Sequence, residues 1–244
     1  MLNLKIRNPN VFPGRPPRLN VAHPFFSQKN TVCAAVAQGK GMFDLVTQTF
    51  AAGSATLSNQ DENGPYVYTT DASGSSLSQC AFPAPATTFN WQIWGGIFKV
   101  VGVTGRGYVL GINNTTGVAL INNSISFYAG GGSWASFTGI AGHTYLAFTS
   151  NSVGTANLSK TAVLVDLTSG NIFTFRVAST GGFSINPVFA FAPFTTFVGG
   201  ARVYALMAGG SQIPIPPAAQ PAPTFYSQDQ INAAIMDPWG LWYG

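Results

Sequence analysis

The stretch Phe89-Asn-Trp-Gln-Ile-Trp-Gly-Gly-Ile-Phe-Lys-Val-Val-Gly-Val103 is the strongest strand signal in the chain and decides its fold class. Aromatic and β-branched residues dominate it, and these residues favour the extended backbone of a β-strand. A Gly95–Gly96 pair interrupts the run, which predicts a bulge or a bend at that point. The stretch therefore predicts one long strand with an irregularity near its middle.

Further strand candidates lie on both sides of this stretch at short spacing. They are residues 31–37, 42–47, 66–70, 108–112, 118–121, 124–128, 145–149, 162–166, 172–178, 188–191 and 201–207. Glycine and asparagine turns separate them, and the segment 128–138 is predicted as a loop. Short strands without intervening helices are typical of an all-β sandwich or barrel, which we place at residues 31–208.

Proline-rich segments flank the predicted sandwich. Five prolines within residues 1–30 prevent a continuous helix and predict an extended arm. Residues 209–226 predict a second extended segment, a proline-rich linker. The chain thus consists of an arm, a sandwich, a linker and a C-terminal segment.

Residues 227–244 predict one short helix followed by an aromatic tail. Ser227 and Gln230 have the spacing of a capping box, and Pro238 ends the helix. The tail contains Trp239, Trp242 and Tyr243, which we expect to pack on the sandwich, with a groove on a partner as the alternative.

Charged residues are scarce and unevenly distributed. The 244 residues include 11 basic and 7 acidic ones, or 7%, against about 25% in ordinary soluble domains. Six basic residues precede the first acidic residue, Asp44. A surface with so little charge resists association poorly, which favours a homo-oligomer or a multi-copy assembly.

The basic arm is the predicted docking element. Arginine pairs well with surface carboxylates, and phenylalanines in the arm supply apolar anchors. Six positive charges over about 40 residues are few for binding nucleic acid, so a protein partner is favoured. The predicted docking residues are Lys5, Arg7, Phe12, Arg15, Arg18, Phe25 and Phe26.

Membrane insertion and a disulfide are both disfavoured. No run of about 18 apolar residues exists, which excludes a membrane-spanning helix, and residues 1–7 lack the apolar core of a secretory signal. Without such a signal, Cys33 and Cys80 are expected to be buried thiols, with a disulfide between them as the alternative.

Four segments, in order, resemble laminin-G-like, concanavalin A-like domains of bacteriophage structural proteins. The first two are Phe89-Asn-Trp-Gln-Ile-Trp94 and the hairpin strand Ala162-Val-Leu-Val-Asp166, where Leu167 replaces the glycine of the family. The others are the final strand Gly199-Gly-Ala-Arg-Val-Tyr-Ala-Leu-Met207 and the helix with its ending, Ser227-Gln-Asp-Gln-Ile-Asn-Ala-Ala-Ile-Met-Asp-Pro-Trp239. The resemblance covers roughly residues 85–240, and the long proline-rich insert is unusual for the family.

The resemblance implies a jelly-roll sandwich of two antiparallel sheets located in a virion. The expected function is that of a virion structural protein, such as a capsid decoration, head fibre or tail component, attached to other virion proteins through the arm. A lectin-like module that binds a host surface glycan is the alternative, and a polysaccharide hydrolase comes third. A fold of this type does not determine activity.

The residues themselves offer little chemistry. A glycosidase needs two carboxylates that flank the scissile bond, and the chain has a single glutamate, Glu62. His23 and His143 stand in no nucleophile motif and are interpreted as ordinary loop histidines. Asp61, Glu62, Asn63 and Asp71 form the one acidic neighbourhood that could bind calcium. We therefore predict a protein that is not an enzyme and has no catalytic residue, bound metal or cofactor.

Carbohydrate binding is the chemistry that the residues favour next. Sugar rings stack on exposed aromatic side chains, and the predicted loop 128–138 contains Tyr128 and Trp134 among glycines and serines. These two residues are the candidate glycan contacts, with burial in the core as the alternative.

Overall fold

The structure is a computed structural model that describes residues 18–23, 31–38, 41–50, 59–68, 90–103, 106–112, 116–121, 124–129, 132–152, 158–179, 199–212 and 228–242. These residues form fourteen strands and one helix. The strands are β1 (Thr31–Gln38), β2 (Gly41–Asp44), β3 (Thr49–Phe50), β4 (Asn59–Asp61), β5 (Gly64–Tyr68), β6 (Trp91–Val103), β7 (Arg106–Ile112), β8 (Thr116–Ile121), β9 (Ser124–Ala129), β10 (Gly132–Thr138), β11 (Thr144–Ser152), β12 (Leu158–Asp166), β13 (Ile172–Ser179) and β14 (Gly199–Ser211), and the helix is α1 (Gln228–Met236).

Two antiparallel sheets contain all of these strands. The large sheet has the order β13-β12-β11-β6-β14-β1-β2-β3, and the small sheet has the order β10-β9-β8-β7. Strand β14 pairs with β6 along one side and with both β1 and β5 along the other, and β4 extends β5. The prediction of an all-β sandwich of two antiparallel sheets with one short C-terminal helix is confirmed.

The large sheet is apolar on both faces because its central strands alternate two sets of apolar side chains. Phe98 and Val100 of β6 point toward the small sheet and pack with Val118, Leu120 and Phe127. Ile97 points the other way, into a second cluster that contains residues of α1 and of the C-terminal tail. The molecule therefore has three layers, with the large sheet in the middle.

The third layer is the C-terminal segment, which lies across the large sheet. The Trp242 indole Nε1 donates a hydrogen bond to the Leu206 carbonyl oxygen of β14 at 2.8 Å, and Trp242 is completely buried. Trp239 packs edge-on against Tyr204. At its outer side, the Asn20 N–H donates to the Leu241 carbonyl oxygen at 3.0 Å, so residues 18–23 are bound to this layer.

Several local features differ from the sequence-based expectations. The predicted loop 128–138 is a hairpin of β9 and β10, because Ala135 and Phe137 alternate toward the core and three preceding glycines obscured that alternation. Strand β14 runs to Ser211, past the predicted boundary at 208, since Gly209 and Gly210 pair with β6. The predicted strand 188–191, the linker from residue 213 and Cys80 lie outside the described residues, and Cys33 is buried between the sheets.

The Gly95–Gly96 pair does not form the predicted bulge. Both glycines pair in regular register with β11 and β14, and the irregularities of the β6–β14 pairing lie nearer the start of β14, around Ala201 and Tyr204. Gly95 is needed for a different reason. The Phe148 ring lies directly on its Cα, where any side chain would overlap the ring.

Replacement of Gly95 by alanine tests this packing. The new Cβ would overlap the Phe148 ring and lie 2.8 Å from the Ala147 carbonyl oxygen, which belongs to the backbone of β11. We expect Gly95→Ala to lower the free energy of unfolding by about 1–3 kcal/mol, as overpacking of a core does. Urea unfolding followed by tryptophan fluorescence measures the change. A double variant, Gly95→Ala with Phe148→Leu, should recover part of the loss, and a single variant as stable as wild type would contradict the packing.

Candidate functional site

Three phenylalanines form a half-exposed surface at one edge of the sandwich, which we call the aromatic shelf. The Phe137 ring of β10 lies 5.1 Å from the Phe173 ring and 4.9 Å from the Phe175 ring, both on β13, measured between centroids. Phe173 and Phe175 keep 37% and 41% of their surface exposed, whereas Phe127 behind Phe137 is fully buried. Large apolar side chains exposed together are a common mark of a binding surface.

Strand register explains why these rings are only half covered. Phe173 pairs with Leu164 and Phe175 with Ala162, and both of those β12 residues face the small sheet. Strand β13 is the last described strand at this end of the large sheet, and β10 is the last described strand at one end of the small sheet. The sandwich core therefore continues to its edge and becomes accessible there.

A histidine and an aspartate form a pair next to the shelf. His143 Nδ1 lies 2.7 Å from Asp166 Oδ2, with 24% of the histidine side chain exposed and only 4% of the aspartate side chain. The other carboxylate oxygen accepts hydrogen bonds from the backbone N–H groups of Thr168 and Ser169 at 2.9 and 3.1 Å. Asp166 thus fixes both the histidine ring and the turn that follows β12.

The pair and the shelf share one face of the large sheet. Asp166 follows Leu164 by two positions on β12, and Leu164 lies opposite Phe173, so Asp166 and Phe173 are diagonal neighbours. The turn after Asp166 adds three exposed polar residues, Thr168, Ser169 and Asn171. One end of the apolar shelf is therefore bordered by hydrogen-bonding groups.

The charge state of Asp166 sets the chemistry of His143. Burial alone would raise the pKa of Asp166, but hydrogen bonds from His143, Ser169 and Thr168 outweigh burial and lower it. The group is therefore a carboxylate, which can only accept hydrogen bonds, so Nδ1 of His143 carries the proton. Nε2 is then the ring nitrogen of the partly exposed His143 that is left to face a ligand hydroxyl group.

The acidic neighbourhood expected from the sequence is a network of ion pairs on the opposite face of the large sheet. Asp61 accepts hydrogen bonds from Arg202 Nη1 at 2.6 Å and from the Tyr204 hydroxyl at 2.8 Å. Glu62 pairs with Lys99, and the hydrogen bond from Lys99 lowers the pKa of Glu62. The Arg202 guanidinium also lies over the Tyr66 ring, 4.7 Å from its centroid. These cations already compensate both carboxylates, and Asp71 lies outside the described residues.

The structure describes only some of the residues that the sequence predicted as sites, and these lie on different elements. Tyr128 lies near the end of β9 and Trp134 lies in β10 at a register shift between Ser133 and Ala135, while the side chains of both lie outside the described part of the chain. Trp134 is three residues from Phe137 on the same strand. Trp239 and Trp242 are buried against the large sheet, and Tyr243 lies outside the described residues.

The arm is described only near its base. Arg18 is exposed, and Leu19 packs beside the C-terminal layer. The other predicted docking residues, Lys5, Arg7, Phe12, Arg15, Phe25 and Phe26, lie outside the described residues.

Comparisons with known proteins place few constraints on this site. No protein-family model and no curated protein sequence matches the chain. Among solved structures, the chain is similar to the Ca²⁺- and Man3GlcNAc-bound exoplasmic/lumenal domain of VIP36, at 16% identity and a TM-score of 0.38, over 74% of this chain and 86% of that one. A similarity of this size transfers no residue role, ligand or metal to the chain, and none of these comparisons points to a bacteriophage protein.

The described residues contain no helix long and apolar enough to span a membrane. They also contain no group of three or more histidine, cysteine, aspartate or glutamate side chains placed to bind one metal ion.

Removal of the Asp166 charge tests the His143–Asp166 pair. Asp166→Asn replaces an oxygen acceptor by an amide donor and breaks charge-assisted hydrogen bonds, so we expect a loss of about 2–3 kcal/mol in the free energy of unfolding at neutral pH. Because the folded pKa is below its ordinary value of 3.8, this contribution is present above pH 3.8 and disappears as the pH falls through the folded pKa.

Urea unfolding at a series of pH values measures that prediction. The difference between wild type and Asp166→Asn should stay constant at neutral pH and shrink in acid below about pH 4. Glu62→Gln is the matched control, since it removes the same charge from an exposed ion pair and should cost about 1 kcal/mol or less. Equal losses for the two variants would contradict the special role of Asp166.

Proposed function

We propose that this chain is a carbohydrate-binding β-sandwich that holds a glycan on the aromatic shelf. The observation that carries the proposal is the juxtaposition of Phe137, Phe173 and Phe175 with the hydrogen-bonding groups around the His143–Asp166 pair. Binding sites for small ligands typically combine an apolar surface with a few well-placed polar groups.

The shelf suits the apolar face of a sugar ring. Sugar C–H groups pack against aromatic rings, and the rings of the shelf already contact one another and so lose little freedom on binding. The His143 Nε2 and the exposed Thr168, Ser169 and Asn171 supply acceptors and donors for hydroxyl groups at one end. The exposed residues of that turn are uncharged, which favours a neutral glycan.

Binding without hydrolysis is the proposed chemistry. Both oxygens of Asp166 are occupied by donors from His143, Thr168 and Ser169. Asp61 and Glu62 are paired with cations on the other face of the large sheet. A glycosidase needs one free carboxylic acid and one free carboxylate on either side of the bond to be cleaved.

Alanine variants on β13 test the shelf. Phe173→Ala and Phe175→Ala should each weaken glycan binding by about tenfold, because each removes one ring of the stacking surface. Ile172→Ala is the matched control, since Ile172 lies on the same strand with 49% of its surface exposed but faces the opposite side of the sheet. Glycan arrays identify a ligand, and calorimetry then measures its affinity.

The outcomes separate the possible sites. A ligand whose affinity falls with both phenylalanine variants and not with Ile172→Ala supports the shelf. Binding that depends on Trp134 and not on Phe173 or Phe175 would place the glycan on the β9–β10 hairpin instead. Binding to no glycan on a broad array would overturn the proposed function.

A virion structural role is the second candidate, and the position of the arm base favours it. The Asn20–Leu241 hydrogen bond and the packing of Leu19 attach the end of the arm to the C-terminal layer. This layer covers the face of the large sheet opposite the shelf. An attachment through the arm would therefore leave the shelf directed away from the particle.

Deletion of residues 1–17 tests this second candidate. The truncated protein keeps Leu19 and Asn20 and their contacts, so we expect it to fold with the melting temperature of the full chain. Incorporation into particles should be lost, as measured by co-sedimentation with virions of a phage that carries this chain. Normal incorporation of the truncated protein would rule out docking through the arm, and an equal glycan affinity is expected in either case.

A further inference from the structure

The two ends of the large sheet differ in how well their edges are protected. At one end, β3 has only two residues. At the other end, β13 has eight residues and pairs with β12 in register without an irregularity from Ile172 to Ser179. Long, regular edge strands are the ones that pair with further strands, because their outer N–H and C=O groups are aligned for it.

Strand β13 also has few of the residues that usually prevent such pairing. Edge strands of soluble proteins are typically protected by lysines, prolines, bulges or short length. Strand β13 contains no proline and one charged residue, Arg176. Ile172 is exposed on one face of the strand, and Phe173 and Phe175 are exposed on the other. Both faces of the edge therefore present apolar surface.

We propose that β13 is the homodimer interface, where it pairs antiparallel with β13 of a second copy of this chain. Among the described residues, β12 is the only strand partner of β13. The pairing would join the two large sheets into one continuous sheet across a two-fold axis. The proposal rests on the edge of β13 alone and does not depend on the proposed glycan binding.

Self-complementarity favours a second copy as the occupant of this edge. In an antiparallel pair centred on Thr174, Phe173 lies opposite the partner's Phe175, and Phe175 lies opposite the partner's Phe173. Aromatic residues directly opposite each other are favourable cross-strand pairs, and so are two threonines. In the same register Arg176 lies opposite the partner's Ile172, so the two arginines do not face each other directly. A two-fold pair uses each β13 once, so the assembly closes as a dimer instead of growing.

The dimer would place the two aromatic shelves side by side. Phe173 and Phe175 of both copies would lie on the same face of the joined sheet, because antiparallel partners directly opposite each other share a face. A multivalent glycan could then contact both shelves, which raises the apparent affinity without any new type of contact.

Sedimentation velocity of the full chain over a range of concentrations tests the interface. The wild type should be a dimer, and Thr174→Lys should shift it to the monomer, with dimer affinity reduced by about tenfold or more, because two like charges would meet at the two-fold axis. Gln60→Lys is the matched control, since it adds the same charge at an exposed strand position on β4, distant in the sheet order from β13. Thr174 is exposed, so the variant should keep the circular dichroism spectrum and melting curve of the folded monomer.

Each outcome decides the proposal. A wild-type dimer that Thr174→Lys dissociates and Gln60→Lys preserves supports it. A wild type that stays monomeric up to its solubility limit would overturn it, and so would a dimer insensitive to Thr174→Lys or an open-ended series of larger species. Calorimetry with a monovalent glycan separates this proposal from the proposed function, because the Thr174→Lys monomer should keep the affinity of each single shelf.

Discussion

The large sheet must be covered on both faces, and the rest of the structure follows from this constraint. Its central strands β6, β11 and β14 direct apolar side chains to both sides, so neither face can be left in water without a large cost. The small sheet covers one face, and the helix with its tryptophan tail covers the other. Removal of either cover would expose a continuous apolar surface of the kind that monomeric proteins avoid.

The cover on the second face depends on contacts between residues distant in sequence. The Trp242 indole donates a hydrogen bond to the Leu206 carbonyl oxygen of β14, and the Asn20 backbone N–H donates one to the Leu241 carbonyl oxygen. The two ends of the described chain therefore meet on the same layer. The ion pairs of Asp61 with Arg202 and of Glu62 with Lys99 attach the β4–β5 hairpin to the same side of the sheet. These ion pairs hold elements together on one face of the large sheet, and the opposite face keeps an apolar edge.

The candidate site lies at the place where the small sheet no longer covers its face of the large sheet. The small sheet reaches Phe137, but Phe173 and Phe175 extend beyond it along β13, so core-type side chains become accessible. The same strand ends the described sheet, which is why one segment carries both the proposed glycan surface and the proposed dimer edge. The His143–Asp166 pair lies at this point because β11 and β12 are neighbours whose ends meet there.

The sequence by itself determined the class of the fold, since alternating apolar residues and glycine or asparagine turns specify strands locally. It also indicated the short helix, for which the spacing of Ser227 and Gln230 and the following Pro238 are local signals. Only the tertiary structure decided which strands lie at an edge, because Phe98 and Phe173 have the same local pattern and differ only in their neighbours. It likewise decided that His143 meets Asp166, 23 residues away, and that Asp61 and Glu62 meet cations. Pairing between strands depends on register and sheet order, which alternation within one strand does not encode.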